Sequence, residues 1–125
     1  MYELAVTGDF SAAHALRDYD GPCERVHGHN YRIEIAVTGE RLNQQGLLVD
    51  FRDLRRALGA ILERLDHRNL NELEAFRECS PTSEVIARLI YEELAGPVQA
   101  LGARLRRVTV WETERASASY EPSPE

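Results

Sequence analysis

The histidines of this 125-residue chain are concentrated near its amino end, where three of the four occur. Two belong to the motif His27-Gly28-His29, and the third is His14. Imidazole nitrogens are common zinc ligands, and a catalytic zinc site commonly has three protein ligands and one open position. The three residues therefore indicate a metal site. The alternative is that each ring is a surface histidine or a hydrogen-bonded histidine of the core.

A cysteine precedes this motif, since Cys23 stands four residues before His27. A thiol close to a metal cation or a second histidine becomes a usable base or nucleophile. The alternative is a small buried apolar residue, although the position beside Gly21-Pro22, outside any apolar stripe, weakens it. Cys79 has no histidine near it in sequence and is interpreted as structural.

A carboxylate and an imidazole are adjacent at Asp66 and His67. A histidine paired with a carboxylate is held in one tautomer and can act as a general acid or base. Adjacent side chains usually point apart, so Asp66 and His67 need not form a direct hydrogen bond. On spacing alone, the favoured interpretation is structural, because such residues are frequent at helix ends.

Three further polar residues are candidates for ligand binding. Glu112 follows Val108 and Val110 at the same parity and places a carboxylate on an otherwise apolar strand face, where it could accept two parallel N–H donors from a heterocycle. The alternative is a solvated strand end. Thr82 and Ser83 stand where a helix begins, and helix capping is sufficient to explain them.

Two strands position the histidines. Apolar side chains alternate over residues 2–14 at the even positions, which places His14 on the buried face, and Gly8 is a candidate bulge in this strand. A second strand over residues 31–38 has its apolar side chains at odd positions. Continued backwards, the odd positions reach His29 and His27, so both imidazoles leave one face of the strand.

Two helices follow. The first spans residues 51–65 with Asp50 as N-cap, and the second begins near residues 81–84 and continues to Leu94. Gly96-Pro97 is interpreted as an interruption, with a short helical extension through Leu101 as the alternative. The apolar stripe of the first helix consists of Phe51, Leu54, Leu58, Ile61, Leu62 and Leu65.

Strand character returns over residues 104–113 and again near 118–121. The order strand, strand, helix, helix, strand, strand predicts an α+β fold, with an antiparallel four-stranded sheet and two helices on one face. We expect a single domain over residues 1–121 and a short tail over 122–125. An open sheet of this size has two edges, which are commonly hidden by association, so an oligomer is expected.

Composition restricts the classes of partner. The net charge of −6 argues against a nucleic-acid binder, and no apolar run is long enough to span a membrane. The amino end lacks the pattern of a secretory signal, so a cytoplasmic location is expected. Two cysteines do not form a disulfide framework, and reduced thiols are expected.

The motifs together resemble the 6-pyruvoyl-tetrahydropterin synthase family, in particular its bacterial branch that makes 6-carboxy-tetrahydropterin for 7-deazapurine (queuosine) biosynthesis. The resemblance runs from Phe10 to Tyr120. It is carried, in chain order, by FSAAHAL, CERVHGHNY, LLVDF, LDHRNLN, PTSE and VWET.

This resemblance implies roles for the reactive residues. His14, His27 and His29 match the family's Zn²⁺ ligands. Cys23 matches its catalytic cysteine, and Asp66-His67 matches the acid–base partners of that thiol.

The resemblance also implies the substrate site and the assembly. Glu112 matches the carboxylate that anchors the pterin ring, and Thr82 and Ser83 correspond to a segment that lines the pterin pocket. The family fold is the tunnelling fold (T-fold), ββααββ, in which the sheets of several subunits join into a barrel. A homo-oligomer with active sites between subunits is therefore expected, a hexamer built as a dimer of trimers or a tetramer.

The implied substrate is 7,8-dihydroneopterin triphosphate, although no compact arginine cluster marks a site for the triphosphate. The short gap between Cys23 and His27 resembles the branch that forms the 6-carboxy product and releases acetaldehyde. Two alternatives stay open: a synthase that eliminates triphosphate and forms the 6-pyruvoyl product, and a non-catalytic oligomer that binds metal and pterin.

Overall fold

The computed structural model describes residues 1–17, 21 and 25–124. The elements are β1 (Tyr2–His14), β2 (His27–Gly39), α1 (Phe51–Leu65), β3 (Arg68–Asn69), α2 (Ser83–Ala100), β4 (Arg104–Thr113) and β5 (Ala116–Tyr120). Within the described residues the sheet has the strand order β3-β1-β2-β4-β5, and its pairs are antiparallel except for β1 with β3. The predicted α+β fold with the order ββααββ is confirmed, with β3, a parallel strand of two residues, as an addition.

The pairing of β1 with β2 is continuous from Tyr2 opposite Gly39 to the far end of both strands. The bulge considered at Gly8 is therefore wrong. Gly8 lies where α1 crosses the sheet, and a Cβ atom there would stand 2.8 Å from Cδ1 of Leu62. Its missing side chain lets the helix approach the strand closely.

Helix α1 begins as predicted, with the Asp50 side chain accepting a hydrogen bond from the Arg52 amide. Five members of its predicted apolar stripe are buried, but Phe51 is 46% exposed. Phe51 is the first residue of the helix, and its side chain lies in a surface depression beside Ala5 and Arg55. It is therefore not part of the core.

Helix α2 continues through Pro97 to Ala100, so the predicted interruption is wrong and the helical extension is observed. The ring of a proline clashes with the Cβ atom of a helical residue before it. Here the preceding residue is Gly96, which has no Cβ atom, and the following Val98 is fully buried and holds the last turn against the core.

Both helices cover one face of the sheet. The buried positions of β1 are even-numbered, those of β2 are mainly odd-numbered, and Val108 and Val110 of β4 complete the apolar face. The last strand begins and ends slightly earlier than predicted. In the described part of the chain, no helix combines the length and apolar character needed to cross a membrane.

Candidate metal centre and acid–base pair

Strand register brings the three histidines of the amino-terminal motifs together. His14 is directly opposite His27 in the β1–β2 pairing, and Ala12 is opposite His29. Glu112 on β4 shares the parity of the buried Val110 and reaches the same group. Each of these four side chains offers one ligand atom, and the four atoms all lie within 4.8 Å of one another.

The imidazoles meet through their Nε2 atoms. The Nε2 atoms of His14 and His27 are 3.0 Å apart. Oε1 of Glu112 is 3.3 Å from Nε2 of His14 and 3.2 Å from Nε2 of His29. Three imidazole nitrogens and one carboxylate oxygen therefore converge on a small volume.

Two backbone carbonyls determine which ring nitrogens carry protons. Nδ1 of His14 donates to the carbonyl of Pro81 over 2.7 Å, and Nδ1 of His27 donates to the carbonyl of Arg25 over 2.7 Å. A carbonyl oxygen only accepts, so both Nδ1 atoms carry the hydrogen. In the neutral rings, both Nε2 atoms consequently present lone pairs to the cluster.

These lone pairs fit a cation. Two acceptors that face each other at 3.0 Å repel unless a positive centre lies between or beside them. Nε2 of His29 is buried and makes no hydrogen bond among the described residues, since its 3.2 Å approach to Oε1 of Glu112 does not have hydrogen-bond geometry. Burial lowers the pKa of His29, as do His14 and His27, against the opposing effect of Glu112, and this favours a neutral ring with a free lone pair. The group of three histidines and one glutamate can hold a metal ion.

Tyr31 is a member of this site that sequence reasoning missed. Its ring is fully buried and stacks on Phe10, and its hydroxyl lies 3.2 Å from Nδ1 of His14. Burial, followed by the charge of Glu112, raises the pKa of Tyr31, so the hydroxyl stays neutral. The available signal was its position, since Tyr31 continues the odd-numbered face that carries His29.

Asp66 and His67 form a direct pair, which their adjacency in sequence did not require. Nδ1 of His67 donates to Oδ2 of Asp66 over 2.9 Å, and His67 has a backbone φ of 57°. Oδ1 of Asp66 accepts from the Ser11 amide over 2.8 Å, and the His67 amide donates to the Ser11 carbonyl. The Ser11 amide and then His67 hold the pKa of Asp66 below its ordinary value.

The acid–base pair lies beside an open cavity of about 460 Å³. Ser11, Asn30, His67 and Arg68 line it, and it reaches His29. Ser11 and Asn30 alternate with buried residues, so their side chains are on the sheet face away from the helices. Within the described ranges, no hydrogen bond or ion pair joins His67 to the histidine cluster, although His29 and His67 line the same cavity.

The remaining predicted site residues are Thr82, Ser83 and Cys23. The Thr82 hydroxyl accepts from the Val85 amide and caps α2. Oγ of Ser83 is buried and has no hydrogen-bond partner among the described residues. Both follow Pro81, whose carbonyl orients His14. Cys23 lies outside the residues that the structure describes.

Comparison with known proteins gives a consistent result over almost the whole chain. A family model described as 6-pyruvoyl tetrahydropterin synthase matches residues 3–123. The 6-carboxy-5,6,7,8-tetrahydropterin synthase of Bacillus subtilis is 35% identical over 128 residues, which cover 97% of this chain and 86% of that protein. The dihydroneopterin monophosphate aldolase of Pyrococcus furiosus is 34% identical over 112 residues and 90% of each chain.

The fold has a similarly close counterpart among solved structures. The 6-pyruvoyl tetrahydropterin synthase of Caenorhabditis elegans superimposes with a TM-score of 0.85 at 29% identity, covering 98% of this chain and 96% of that one. The similarity therefore extends to the complete arrangement of strands and helices.

Proposed function

Because the chain belongs to the 6-pyruvoyl tetrahydropterin synthase family, we propose that it is a zinc-dependent lyase acting on 7,8-dihydroneopterin triphosphate. The products are 6-carboxy-5,6,7,8-tetrahydropterin, acetaldehyde and triphosphate, with one water consumed. The ring gains the two electrons that the side-chain carbon loses, so no external oxidant or reductant is needed. The reaction belongs to 7-deazapurine (queuosine) biosynthesis.

The observation that carries this proposal is the convergence of three Nε2 atoms on one face of the sheet. His14 and His27 are fixed in the tautomer that frees Nε2, and Nε2 of His29 is buried without a hydrogen-bond partner among the described residues. Three imidazole ligands with room for substrate are typical of catalytic zinc. When bound, the ion would act as a Lewis acid on the oxygens of the substrate side chain.

Proton transfer is assigned to Cys23 and to the Asp66-His67 pair. Cys23 as a thiolate takes a proton from one side of the substrate side chain, and His67 exchanges a proton on the other. The carboxylate of Asp66 fixes the Nδ1–H tautomer of His67 and leaves Nε2 to face the substrate. The open cavity beside His67 supports this assignment.

Ring binding is assigned to Glu112, Thr82 and Ser83. The Glu112 carboxylate is one-third exposed and accepts from the 2-amino and ring N–H groups of the pterin. The buried Ser83 hydroxyl, which lacks a partner among the described residues, supports a polar contact to the ring. These contacts hold the reacting carbons in place.

The catalytic unit is proposed to be a homo-oligomer, either a hexamer arranged as a dimer of trimers or a tetramer, with each site between subunits. Two observations support it. The outer edge of β1 pairs with β3 only at Ala12 and Ala13, which leaves most of that edge available for another strand. His67 is 83% exposed and is not joined to the histidine cluster of its own chain in the described residues.

The product analysis that tests this function uses purified zinc-loaded protein with dihydroneopterin triphosphate. We expect acetaldehyde and triphosphate in equal amounts. Triphosphate without acetaldehyde would identify the 6-pyruvoyl-forming reaction, and zinc binding without turnover would identify a non-catalytic pterin-binding oligomer.

A second candidate reaction follows from the similarity to the Pyrococcus furiosus aldolase. The same assay with dihydroneopterin monophosphate tests it. Carbon–carbon cleavage of the monophosphate without phosphate release, at a higher kcat/KM than for the triphosphate, would favour the aldolase and contradict our assignment.

A further inference from the structure

A continuous strip of contacts fastens residues 66–71 to residues 11–15. Asp66 accepts from the Ser11 amide at one end. The backbone of β3 then pairs with Ala12 and Ala13. Because this strip runs alongside β1 up to its last residue, it lies next to the backbone that carries His14.

The far end of the strip is made by one side chain. The Ala15 amide donates to Oδ1 of Asn71 over 2.9 Å, and Nδ2 of Asn71 donates to the Ala15 carbonyl over 3.0 Å. The pairing of β1 with β2 ends at His14, so Ala15 is beyond the sheet. The Asn71 amide therefore takes the place of a neighbouring strand for the residue that follows His14.

Resting on the metal site proposed above, we propose that Asn71 is a positioning residue for that site. Its amide fixes both backbone groups of Ala15 and so prevents the end of β1 from fraying. His14 is then held where its Nδ1 reaches the Pro81 carbonyl and its Nε2 meets that of His27. Groups that orient metal-binding histidines typically affect metal affinity by 10–100-fold.

Removal of the Asn71 side chain should leave the chain folded, because Arg17 attaches the same region independently. The Arg17 guanidinium donates to the carbonyls of Arg77 and Cys79, and its amide donates to the Ser80 hydroxyl. The segment before Pro81 thus stays docked, and the local effect on His14 can be measured.

The experiment measures zinc affinity by competition with a chromophoric chelator, using zinc alone, for wild type, Asn71→Ala and Asn71→Asp. The aspartate keeps the acceptor for the Ala15 amide but places a carboxylate oxygen against the Ala15 carbonyl. We expect both variants to bind zinc about 10-fold more weakly than wild type.

The matched control is Asn43→Asp. Oδ1 of Asn43 accepts from the amides of Gln45 and Leu47, a role that a carboxylate retains. Zinc affinity should match wild type in this variant.

Thermal midpoints with and without saturating zinc separate positioning from a purely structural role. A positioning role makes the zinc-induced rise in midpoint smaller in Asn71→Ala than in wild type. If both midpoints fall equally and zinc affinity is unchanged, Asn71 is only structural and the inference is overturned. If wild type itself takes up no zinc, the proposed metal site and this inference both fail, a result distinct from the first.

Discussion

The imidazole of His67 donates from Nδ1 to the carboxylate of Asp66 over 2.9 Å, although the two residues are adjacent in the chain. The backbone of His67 makes this contact possible, because its φ of 57° lies in the left-handed region. For a residue with a side chain, that conformation costs about 1–2 kcal/mol. The strained backbone thus accompanies the contact between Asp66 and His67, and such strain is common at functional sites.

Replacement of His67 by glycine and by alanine should separate backbone strain from chemistry. Both variants lose the imidazole and should lose turnover. Glycine adopts a positive φ without cost, so His67→Gly should be about 1 kcal/mol more stable than His67→Ala in urea unfolding. Equal stabilities would contradict the left-handed conformation of this residue.

The Asp66 carboxylate should make stability depend on pH in the acid range. Its pKa in the folded chain is below the ordinary value of 3.8, because the Ser11 amide and His67 favour the charged form. The stabilisation is complete above the unfolded pKa and is lost as the pH falls through the folded pKa. The free energy of unfolding of wild type relative to Asp66→Asn should therefore stay constant between about pH 5 and pH 4.5 and decrease below about pH 4. Urea titrations at each pH measure it, and a difference that grows as the pH falls would have the wrong sign.

The close approach of α1 to β1 should make Gly8 sensitive to a single added methyl group. A Cβ atom there meets side-chain carbons of Leu62 and Leu58 at 2.8 and 3.3 Å, so Gly8→Ala should destabilise the fold by about 1 kcal/mol or more. Gly59 is the matched control, because it is exposed on α1 and an added methyl group would have no atom within 4 Å. Gly59→Ala should stabilise by about 1 kcal/mol through helix propensity. Thermal unfolding of both variants tests the opposite signs.

Glu112→Gln should distinguish a pterin anchor from a metal ligand. The three histidines remain in this variant, so we expect zinc content to be retained while KM for the pterin rises by about 10-fold or more, since a neutral amide cannot accept two N–H donors as a carboxylate does. Zinc analysis and steady-state kinetics on one preparation give both quantities. Loss of zinc from the purified variant would instead make Glu112 a fourth ligand.

A variant of Cys23 and a variant of His27 should distinguish loss of proton transfer from loss of metal binding. Cys23→Ala should keep full zinc content and lose turnover, because the thiol is assigned to proton transfer. His27→Ala should lose zinc as well as turnover, because one of three imidazole ligands is removed. Metal analysis of the purified variants decides both. A fully active Cys23→Ala protein would remove that thiol from the mechanism.

Strand alternation is sufficient to predict the face that carries the histidines. Side-chain direction in a strand follows residue parity, so His14, His27 and His29 could be placed on the buried face before the register was known. The same rule predicts the position of Glu112. The elements that position the site were therefore largely predictable from local pattern.

The orienting contacts were not predictable in this way. The Pro81 carbonyl, which fixes the tautomer of His14, is a backbone group without a sequence signal, and 67 positions separate the two residues. The Asp66–His67 contact depends on the positive φ of His67, which cannot be predicted from the presence of a histidine at this position. Pro97 normally indicates a helix end, but α2 continues because Gly96 has no Cβ atom to clash with the proline ring and because Val98 packs into the core.

The sequence separation between hydrogen-bonded residues of the site has a consequence for the order of folding and metal binding. The contact of Ser11 with Asp66 spans 55 positions, that of Ala15 with Asn71 spans 56, and that of His14 with Pro81 spans 67. Contacts of such separation form late in folding, since long loops must close first. A nascent chain that has not yet reached Pro81 carries His14, His27 and His29 but lacks the carbonyl that orients the His14 ring. Metal binding with the His14 ring held in its final orientation should therefore follow the closure of these long-range contacts.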